Sequence, residues 1–324
     1  MRLSTPSVLL VCLVSCVPAA ASELRIVASV DDGPHRAGWV YARTGQRVML
    51  RAKLQPHGKP TSIRWFRLEP DPAPLDNTKP RFHFEQVRYT SYELANCRDH
   101  LDCPADVTPI RMPRIAGLEG AGTMAFQVRV TLPDGRTVAT PGIESIERGG
   151  LSREVFRVAV RSGGGYPAHM TELLNIPYIY GSDGPEGSHQ ADLLIGSDCA
   201  DLAVYGARRA GLDVPYASTW TLDQHAKELA RAESSRADGI SIDARGRPLP
   251  IGAGHGALRA GDLLLFPRTR HVAVLWEDRP PLGVLDVSDL MLHTCWAPPM
   301  LETIGESGCA SFPIRVLRFP IDRN

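Results

Sequence analysis

Apolar and polar residues alternate along several short stretches in the first half of the chain. Residues 48–54, 62–67 and 124–130 all show this period of two. Because successive side chains of a strand point to opposite faces of a sheet, each stretch predicts a strand with one buried face. The last stretch leads into Pro133-Asp134-Gly135, whose residues favour a turn. Helical periodicity is almost absent, so residues 24–161 are predicted to form an all-β sandwich.

A different pattern begins after Arg161-Ser162-Gly163-Gly164-Gly165, which has the composition of a linker. Residues 199–210 fit a helix that ends at Gly211, because glycine is favoured just beyond helix ends. Thr221-Leu222-Asp223-Gln224 has the form of a capping box and predicts a second helix over residues 225–230. Three apolar stretches complete this half, and we predict a strand at each: residues 262–266, 271–276 and 290–293.

These patterns divide the chain into a leader and two domains. We predict a signal peptide over residues 1–22, a β-sandwich domain over 23–162, and an α+β domain over 163–324. Within the first domain, residues 45–65 are similar to the second and third strands of an immunoglobulin-like domain, with Trp65 in the place of its core tryptophan.

The leader has the features of a secretory signal peptide. It starts with Met1-Arg2, continues with an apolar stretch from Ser7 to Val17, and ends in small residues, so cleavage is expected near Ala21 or Ser22. Alternatively, Leu13-Val14-Ser15-Cys16 resembles the lipobox of bacterial lipoproteins, and Cys16 would then be the acylated first residue that anchors the protein to a membrane. Either way, we expect export to a bacterial periplasm or cell envelope.

Charge and residue spacing exclude two classes of ligand. The chain has 36 basic and 36 acidic residues, so it carries no net charge at pH 7 with neutral histidines. Binding through nucleic acid phosphates requires lysine and arginine contacts, and a nucleic acid partner is therefore not expected. The cysteines and histidines show no CxxC or HxxxH spacing, so no metal or other cofactor is expected.

The cysteines point to two disulfides and one free thiol. Cys97 and Cys103 bracket a short polar loop, and Cys295 and Cys309 bracket a second loop, so each pair suits a local disulfide in an oxidising compartment. Cys199 is then the odd cysteine of the mature chain. An odd cysteine in an exported protein is a reactive thiol or an intermolecular link, although a buried, inert cysteine is the alternative reading.

The neighbourhood of Cys199 favours the reactive thiol. Asp198-Cys199 opens the predicted helix, and His271 begins an apolar strand. Thiolate is the attacking form, and both the positive end of a helix and a nearby imidazole lower the pKa of a thiol. Cys199 and His271 are therefore a candidate nucleophile and base.

Five landmarks follow one another along the second half of the chain. In order they are Pro177-Tyr178-Ile179-Tyr180-Gly181, Gly196-Ser197-Asp198-Cys199-Ala200-Asp201-Leu202, Arg259-Ala260-Gly261-Asp262-Leu263-Leu264-Leu265-Phe266, His271-Val272-Ala273-Val274 and Met291-Leu292-His293. Together they resemble the NlpC-type cell-wall cysteine peptidases, a papain-like α+β family. The resemblance covers residues 170–300, about half of the mature chain. It implies a papain-like fold for the second domain.

The resemblance also implies a role for each matching residue. Cys199 would be the nucleophile, His271 the base, and His293 the polar residue that orients the imidazole. Tyr178 and Asp198 would lie at the substrate and oxyanion side, where the backbone N–H of Cys199 also contributes. The implied activity is hydrolysis of amide bonds in peptidoglycan stem peptides, which in this family more often means the bond between D-glutamate and the diamino acid.

Departures from the family pattern leave other functions open. Ala200 and Asp201 replace a serine and a glycine after the nucleophile, although Asp201 on a helix is expected to point away from the thiol. Long insertions at residues 234–256 and 278–289 surround the site in sequence, and the first is expected to form a loop at or over the cleft. The alternatives are a catalytically inactive binding or scaffold protein, and a thiol amidase or acyltransferase with a substrate other than peptidoglycan. The β domain would hold the protein on the wall, a membrane surface or a protein partner.

Overall fold

The structure is a computed structural model that describes residues 24–55, 59–185, 187–254 and 256–321. The predicted signal peptide and the alternative acylation site at Cys16 lie outside the described residues. Within them, no helix is long and apolar enough to cross a membrane.

Short strands make up the first half of the chain. Their bounds are β1 Leu24–Val30, β2 Arg36–Ala37, β3 Val40–Arg43, β4 Val48–Leu54, β5 Ser62–Pro70, β6 Leu75–Asp76, β7 Tyr89–Glu93, β8 Asp102–Pro104, β9 Gly122–Thr131, β10 Thr137–Ala139, β11 Ile146–Glu147, β12 Gly150–Leu151 and β13 Phe156–Arg161. The alternating stretches of the sequence correspond to β4, β5 and β9.

Two sheets of this half share one core. One sheet has the order β2-β1-β4-β8, and the other has the order β3-β13-β9-β5-β7 with β10 added to β9. Trp65 of β5 and Phe126 of the adjacent β9 are completely buried between the two sheets. Trp65 also satisfies its ring nitrogen, because Nε1 donates to the carbonyl of His100 at 2.9 Å. Alternation along the strands thus builds the packed interior that the pattern predicted.

The second half contains two α-helices and nine strands among the described residues. Their bounds are α1 Gly165–Met170, β14 Ile179–Tyr180, α2 Cys199–Arg209, β15 Lys227–Ala232, β16 Ser234–Ser235, β17 Ser241–Ile242, β18 Leu263–Phe266, β19 His271–Glu277, β20 Leu290–His293, β21 Met300–Thr303 and β22 Ile314–Arg318. Short 3-10 helices are present at Ala95–Cys97, Thr171–Leu173 and Leu222–Gln224.

One antiparallel sheet organises this half, with the strand order β15-β22-β18-β19-β20-β21. Helix α2 packs on one face, where it covers Leu265 and Val272. Leu249 and Leu258, from the chain between β17 and β18, lie on the opposite face with Phe266. The described part of the 234–256 insertion therefore packs on the face of the sheet opposite α2.

The prediction of an α+β fold with a papain-like second domain is wrong. Within the described residues, the α-helices have 6 and 11 residues, and the remaining regular structure is almost all strand. Residues 225–230, predicted as a helix, lie largely in strand β15, which pairs with β22. A helix this short is marginal by itself, whereas the backbone of β15 pairs with β22 and completes an edge of the sheet. Two Arg315–Glu228 hydrogen bonds of 2.8 and 2.6 Å reinforce this pairing.

Both predicted disulfides are present, and Cys199 is a free thiol. Cys97 and Cys103 have their Cα atoms 5.3 Å apart, and Cys295 and Cys309 have theirs 6.3 Å apart. The second disulfide begins two residues after His293, so it ties down the chain that leaves strand β20.

The two halves of the chain are in direct contact. Strand β14 pairs in parallel with β6 from the first half. The hydroxyl of Thr123 in β9 donates to the carbonyl of Glu172 at 2.7 Å. Glu172 lies in the 3-10 helix Thr171–Leu173, which comes before β14 and α2 in the chain. Ala159 of β13 packs in the same apolar cluster as Leu173 and Leu263. The first half therefore buttresses the segment that precedes Cys199.

Candidate thiol site

The Cys199 thiol is held at the first position of helix α2. The side chain of Asp198 caps this helix, since Oδ1 accepts from the backbone N–H groups of Ala200 at 2.9 Å and Asp201 at 3.0 Å. A capping aspartate satisfies N–H groups that a helix start leaves unpaired. Asp198, predicted on the substrate side, therefore fixes the position of the nucleophile. The N–H of Cys199 itself has no acceptor in the part of the chain that the structure describes.

Strand β19 lies next to helix α2, and its backbone is close to this thiol. The backbone N–H of Val272, the residue after His271, acts on the sulfur of Cys199 to lower the thiol pKa, although burial outweighs it. The His271 ring is buried and stacks on Phe266 across the sheet, with centroids 5.8 Å apart. Among the described residues, the thiol and the His271 ring are not hydrogen-bonded to each other. Cys199 packs with the apolar cluster on the α2 face of the sheet, whereas Phe266, on which His271 stacks, belongs to the cluster on the opposite face, so the structure does not form a thiol–imidazole contact.

Three adjacent strands carry a chain of hydrogen bonds that leads away from His271. His271 Nε2 and His293 Nδ1 are 2.9 Å apart, and His293 Nε2 is 3.1 Å from Oε2 of Glu302. Because a carboxylate can only accept, His293 Nε2 carries a proton, and the Nδ1 of neutral His293 is the acceptor. His271 Nε2 is then the donor. This network assigns His271 the tautomer with an unprotonated Nδ1, which is the nitrogen that a thiol could protonate.

Sequence reasoning missed Glu302. The residue lies in β21, where it is opposite Met291 of β20, so its side chain is on the same face as His293. Nothing near residue 302 in the sequence signals chemistry. Recognising residues 290–293 and 300–303 as paired strands would have found it, since the pairing alone brings a carboxylate to the second histidine.

Burial keeps both the thiol and the imidazole neutral. Burial raises the pKa of the Cys199 thiol, and the negative charge of Asp198 raises it further. Burial and the neighbouring His293 lower the pKa of His271 to about 3. A thiolate–imidazolium pair is therefore disfavoured in this arrangement. The chemistry open to it is proton transfer to His271 as the sulfur attacks, which is general base catalysis.

Together with Asp198, Asp201 lines a cleft beside α2, and Cys199 is not among the described residues that line this cleft. Its side chain is buried, one oxygen lies 3.7 Å from His189 Nε2, and the other has no hydrogen-bond partner among the described residues. Burial and the adjacent Asp198 raise the pKa of Asp201, and burial also raises the pKa of Asp198. Two close carboxyl groups cannot both ionise readily, so the pair retains a proton.

The two carboxyl groups line an open cleft of about 420 Å³. Its walls include Gly181, His189 and Tyr216, and the His189 and Tyr216 rings stack with centroids 3.6 Å apart. Tyr178 was predicted at the cleft, and its buried hydroxyl interacts electrostatically with Cys199. No group of three or more potential metal ligands in the described ranges has the arrangement of a metal site.

The Asp198 charge can be removed without removing the helix cap. Asparagine caps helices as well as aspartate does. We expect Asp198→Asn to lower the Cys199 pKa and to raise the rate of alkylation by iodoacetamide at pH 8 by up to about tenfold. Asp213→Asn, which removes an exposed carboxylate just after α2, is the matched control. Equal rates in wild type and Asp198→Asn would show that Asp198 does not control the thiol.

Glu302 is expected to act as a positioning residue. Glu302→Ala should lower kcat of a reaction that uses His271 as base by roughly 10- to 100-fold with little change in KM, because the hydrogen bonds that set the tautomers of His293 and His271 are lost. Glu302→Gln should recover part of the rate, since its amide oxygen can still accept from His293. Glu306→Ala, which removes a nearby carboxylate that contacts Thr303 instead, is the control. An unchanged kcat in Glu302→Ala would show that Glu302 does not position His293 and His271.

No protein-family model matches this chain, and no curated protein or solved structure does so either. The likeness to NlpC-type peptidases therefore rests on the sequence motifs alone.

Proposed function

We propose that this protein is a thiol-dependent hydrolase of amide bonds, with Cys199 as nucleophile and His271 as base. The observation that carries the proposal is the chain from His271 through His293 to Glu302, which leaves one imidazole nitrogen of His271 unprotonated, in a chain that also holds a helix-capped thiol. A purely structural histidine pair has no need of the Glu302 carboxylate, and Cys199 is a free, partly exposed thiol at a helix start. This combination supports nucleophilic catalysis.

The reaction has two halves. In the first, the Cys199 sulfur attacks the amide carbonyl while His271 Nδ1 accepts the thiol proton. The unpaired N–H of Cys199, at the positive end of α2, is placed to stabilise the oxyanion. The C–N bond then breaks, the amine leaves with the proton from His271, and a thioester remains. In the second half, His271 removes a proton from water, the hydroxide oxygen attacks the thioester, and the acid and free thiol are released.

The substrate that we propose is a peptidoglycan stem peptide, acted on outside the cytoplasm. Two disulfides support an oxidising compartment, since such bonds are rare in reducing ones. The order of the motifs along the sequence supports the substrate class. An open cleft of about 420 Å³, lined by Asp198 and Asp201 at the start of α2, could accommodate a few amino acid residues.

Digestion of purified peptidoglycan tests the proposal. Residues 23–324 and the Cys199→Ala variant are incubated in parallel with the polymer, and released fragments are identified by mass spectrometry. New stem-peptide fragments from the wild type alone would support the nucleophile and name the bond. No fragments from a folded protein with a titratable free thiol would overturn the peptidoglycan substrate, and model amides would then test the hydrolase activity by itself.

A binding protein without turnover is the second candidate. The specific observation that favours it is the raised pKa of Cys199, to which both Asp198 and Asp201 contribute. Under this alternative, stem peptides would bind to the wild type and to Cys199→Ala equally, and neither protein would release fragments. Trapping a thioester on Cys199 with a rapidly quenched substrate would exclude it.

A further inference from the structure

An exposed tryptophan follows the second catalytic histidine. Trp296 is three residues after His293, and 54% of its surface is exposed. Its backbone φ is +51°, in the left-handed region that bulky side chains rarely adopt. The disulfide from Cys295 to Cys309 holds the residue just before it. A strained position that keeps a large ring in solvent is typical of a ligand contact rather than of a folding requirement.

Trp296 is part of a group of three aromatic rings. Its ring centroid lies 5.2 Å from that of Tyr178 and 5.3 Å from that of Tyr180, with the ring planes tilted by 47° and 42°. Tyr178 is buried, whereas Tyr180 is 40% exposed. We call these three residues the aromatic wall. Tyr178 supports the wall from inside, and the other two rings present their surfaces to solvent.

The aromatic wall is continuous with the thiol site. The backbone of Tyr178 forms a bridge with Ser197, two residues before the nucleophile. The Tyr178 hydroxyl also interacts electrostatically with Cys199 and Asp198. The aromatic wall and the polar cleft lined by Asp198 and Asp201 therefore both adjoin the segment that begins α2.

From this arrangement, we infer that the aromatic wall binds a pyranose ring: the sugar to which the stem peptide is attached. The inference rests on the proposed function and narrows it to sugar-linked stem peptides. Each face of a pyranose carries C–H groups that pack on an aromatic ring, while its hydroxyl groups stay in water. The partly exposed rings of Trp296 and Tyr180 suit such a neutral, amphipathic ligand. An apolar peptide side chain would need an enclosed pocket, and the wall is open.

Calorimetric titration of the inactive Cys199→Ala protein tests the inference. The two probes are a stem peptide linked to the N-acetylglucosamine–N-acetylmuramic acid disaccharide and the same peptide without sugar. We expect the sugar-linked peptide to bind about tenfold more tightly. Adding Trp296→Ala should abolish that difference, and adding Trp296→Phe should retain part of it. Trp220→Ala is the matched control, because this tryptophan is 65% exposed but its ring contacts Arg270.

Two results would overturn the inference. One is equal affinity of Cys199→Ala for both probes, and the other is equal weakening of both by Trp296→Ala, which would make the wall a peptide contact. If the wild type still cleaved the sugar-free peptide in either case, the proposed function would stand without the sugar site. If Cys199→Ala bound neither probe and the wild type cleaved neither, both proposals would fail together. Far-ultraviolet circular dichroism of each variant establishes that it is folded.

Discussion

Cys199→Ala is expected to lower amide hydrolysis by at least about 10⁴-fold while leaving the fold intact. In the proposed mechanism, the Cys199 sulfur is the atom that forms the acyl intermediate, so its removal stops the first step. The substitution removes one sulfur from a partly exposed position at the start of α2, where the Asp198 cap remains in place. Stability should therefore change by less than about 1 kcal/mol. Initial rates on released peptidoglycan fragments measure the first effect, and urea unfolding measures the second.

The same loss is expected for His271→Ala, and the two losses should not add. Residues that act as one unit lose nearly all of their effect when either is removed, so the double variant should be about as slow as each single variant. His225→Ala, whose ring is outside the hydrogen-bond chain from His271 to Glu302, is the control. Full activity of Cys199→Ala would refute the mechanism. Full additivity of the two losses would refute the assignment of His271 as the base for Cys199.

Glu172→Gln is expected to lower the free energy of unfolding by about 3 kcal/mol. Glu172 is buried at the junction of the two halves, where its carboxylate accepts hydrogen bonds from Tyr205 at 2.7 Å and from Arg209 Nε at 2.7 Å. His169 Nδ1 lies 2.9 Å from the same carboxylate. Removing the negative charge leaves a partly buried guanidinium without its counter-ion, which costs more than an exposed ion pair is worth.

The pH dependence of this network follows from its pKa. Burial by itself raises the pKa of Glu172, but the hydrogen bonds from His169 and Arg209 outweigh it and hold the pKa below the usual value. The folded protein therefore binds this proton less readily than the unfolded chain does. The stabilisation is fully present above the ordinary glutamate pKa and is lost as pH falls through the lowered one. Glu172→Gln should accordingly lose less stability than the wild type on acidification.

Urea unfolding at pH 7 and at decreasing pH measures both effects. Glu233→Gln is the control, because its ion pair with Arg231 is exposed and its loss should change stability by less than about 0.5 kcal/mol. A double-variant cycle with Arg209→Met separates the ion pair from the other contacts. A change below about 1 kcal/mol for Glu172→Gln would show that the network does not hold the two halves together.

Local signals in the sequence predicted the elements that carry the thiol and the imidazole. Asp198 is a capping residue, and Gly211 has the positive φ of +93° that ends helices, so α2 forms where the pattern placed it. The short apolar runs that begin at Leu263, His271 and Leu290 became the central strands of the sheet. Each of these features depends on residues within a few positions of one another, which is why the sequence alone sufficed.

The fold class and part of the site depended on contacts between distant residues. Residues 227–232 have good helix formers, but a helix this short is marginal by itself, so the free edge of β22 decided their conformation. Glu302 reached His293 only through the register of β20 and β21, and Trp296 reached Tyr178 across more than a hundred residues. The sequence by itself determined the capped thiol, the disulfides and the strands around His271. Only the tertiary structure decided the β-rich fold, the contact between the Glu302 carboxylate and His293, and the burial of Asp201. Each of these arises from packing between distant residues, which no local pattern encodes.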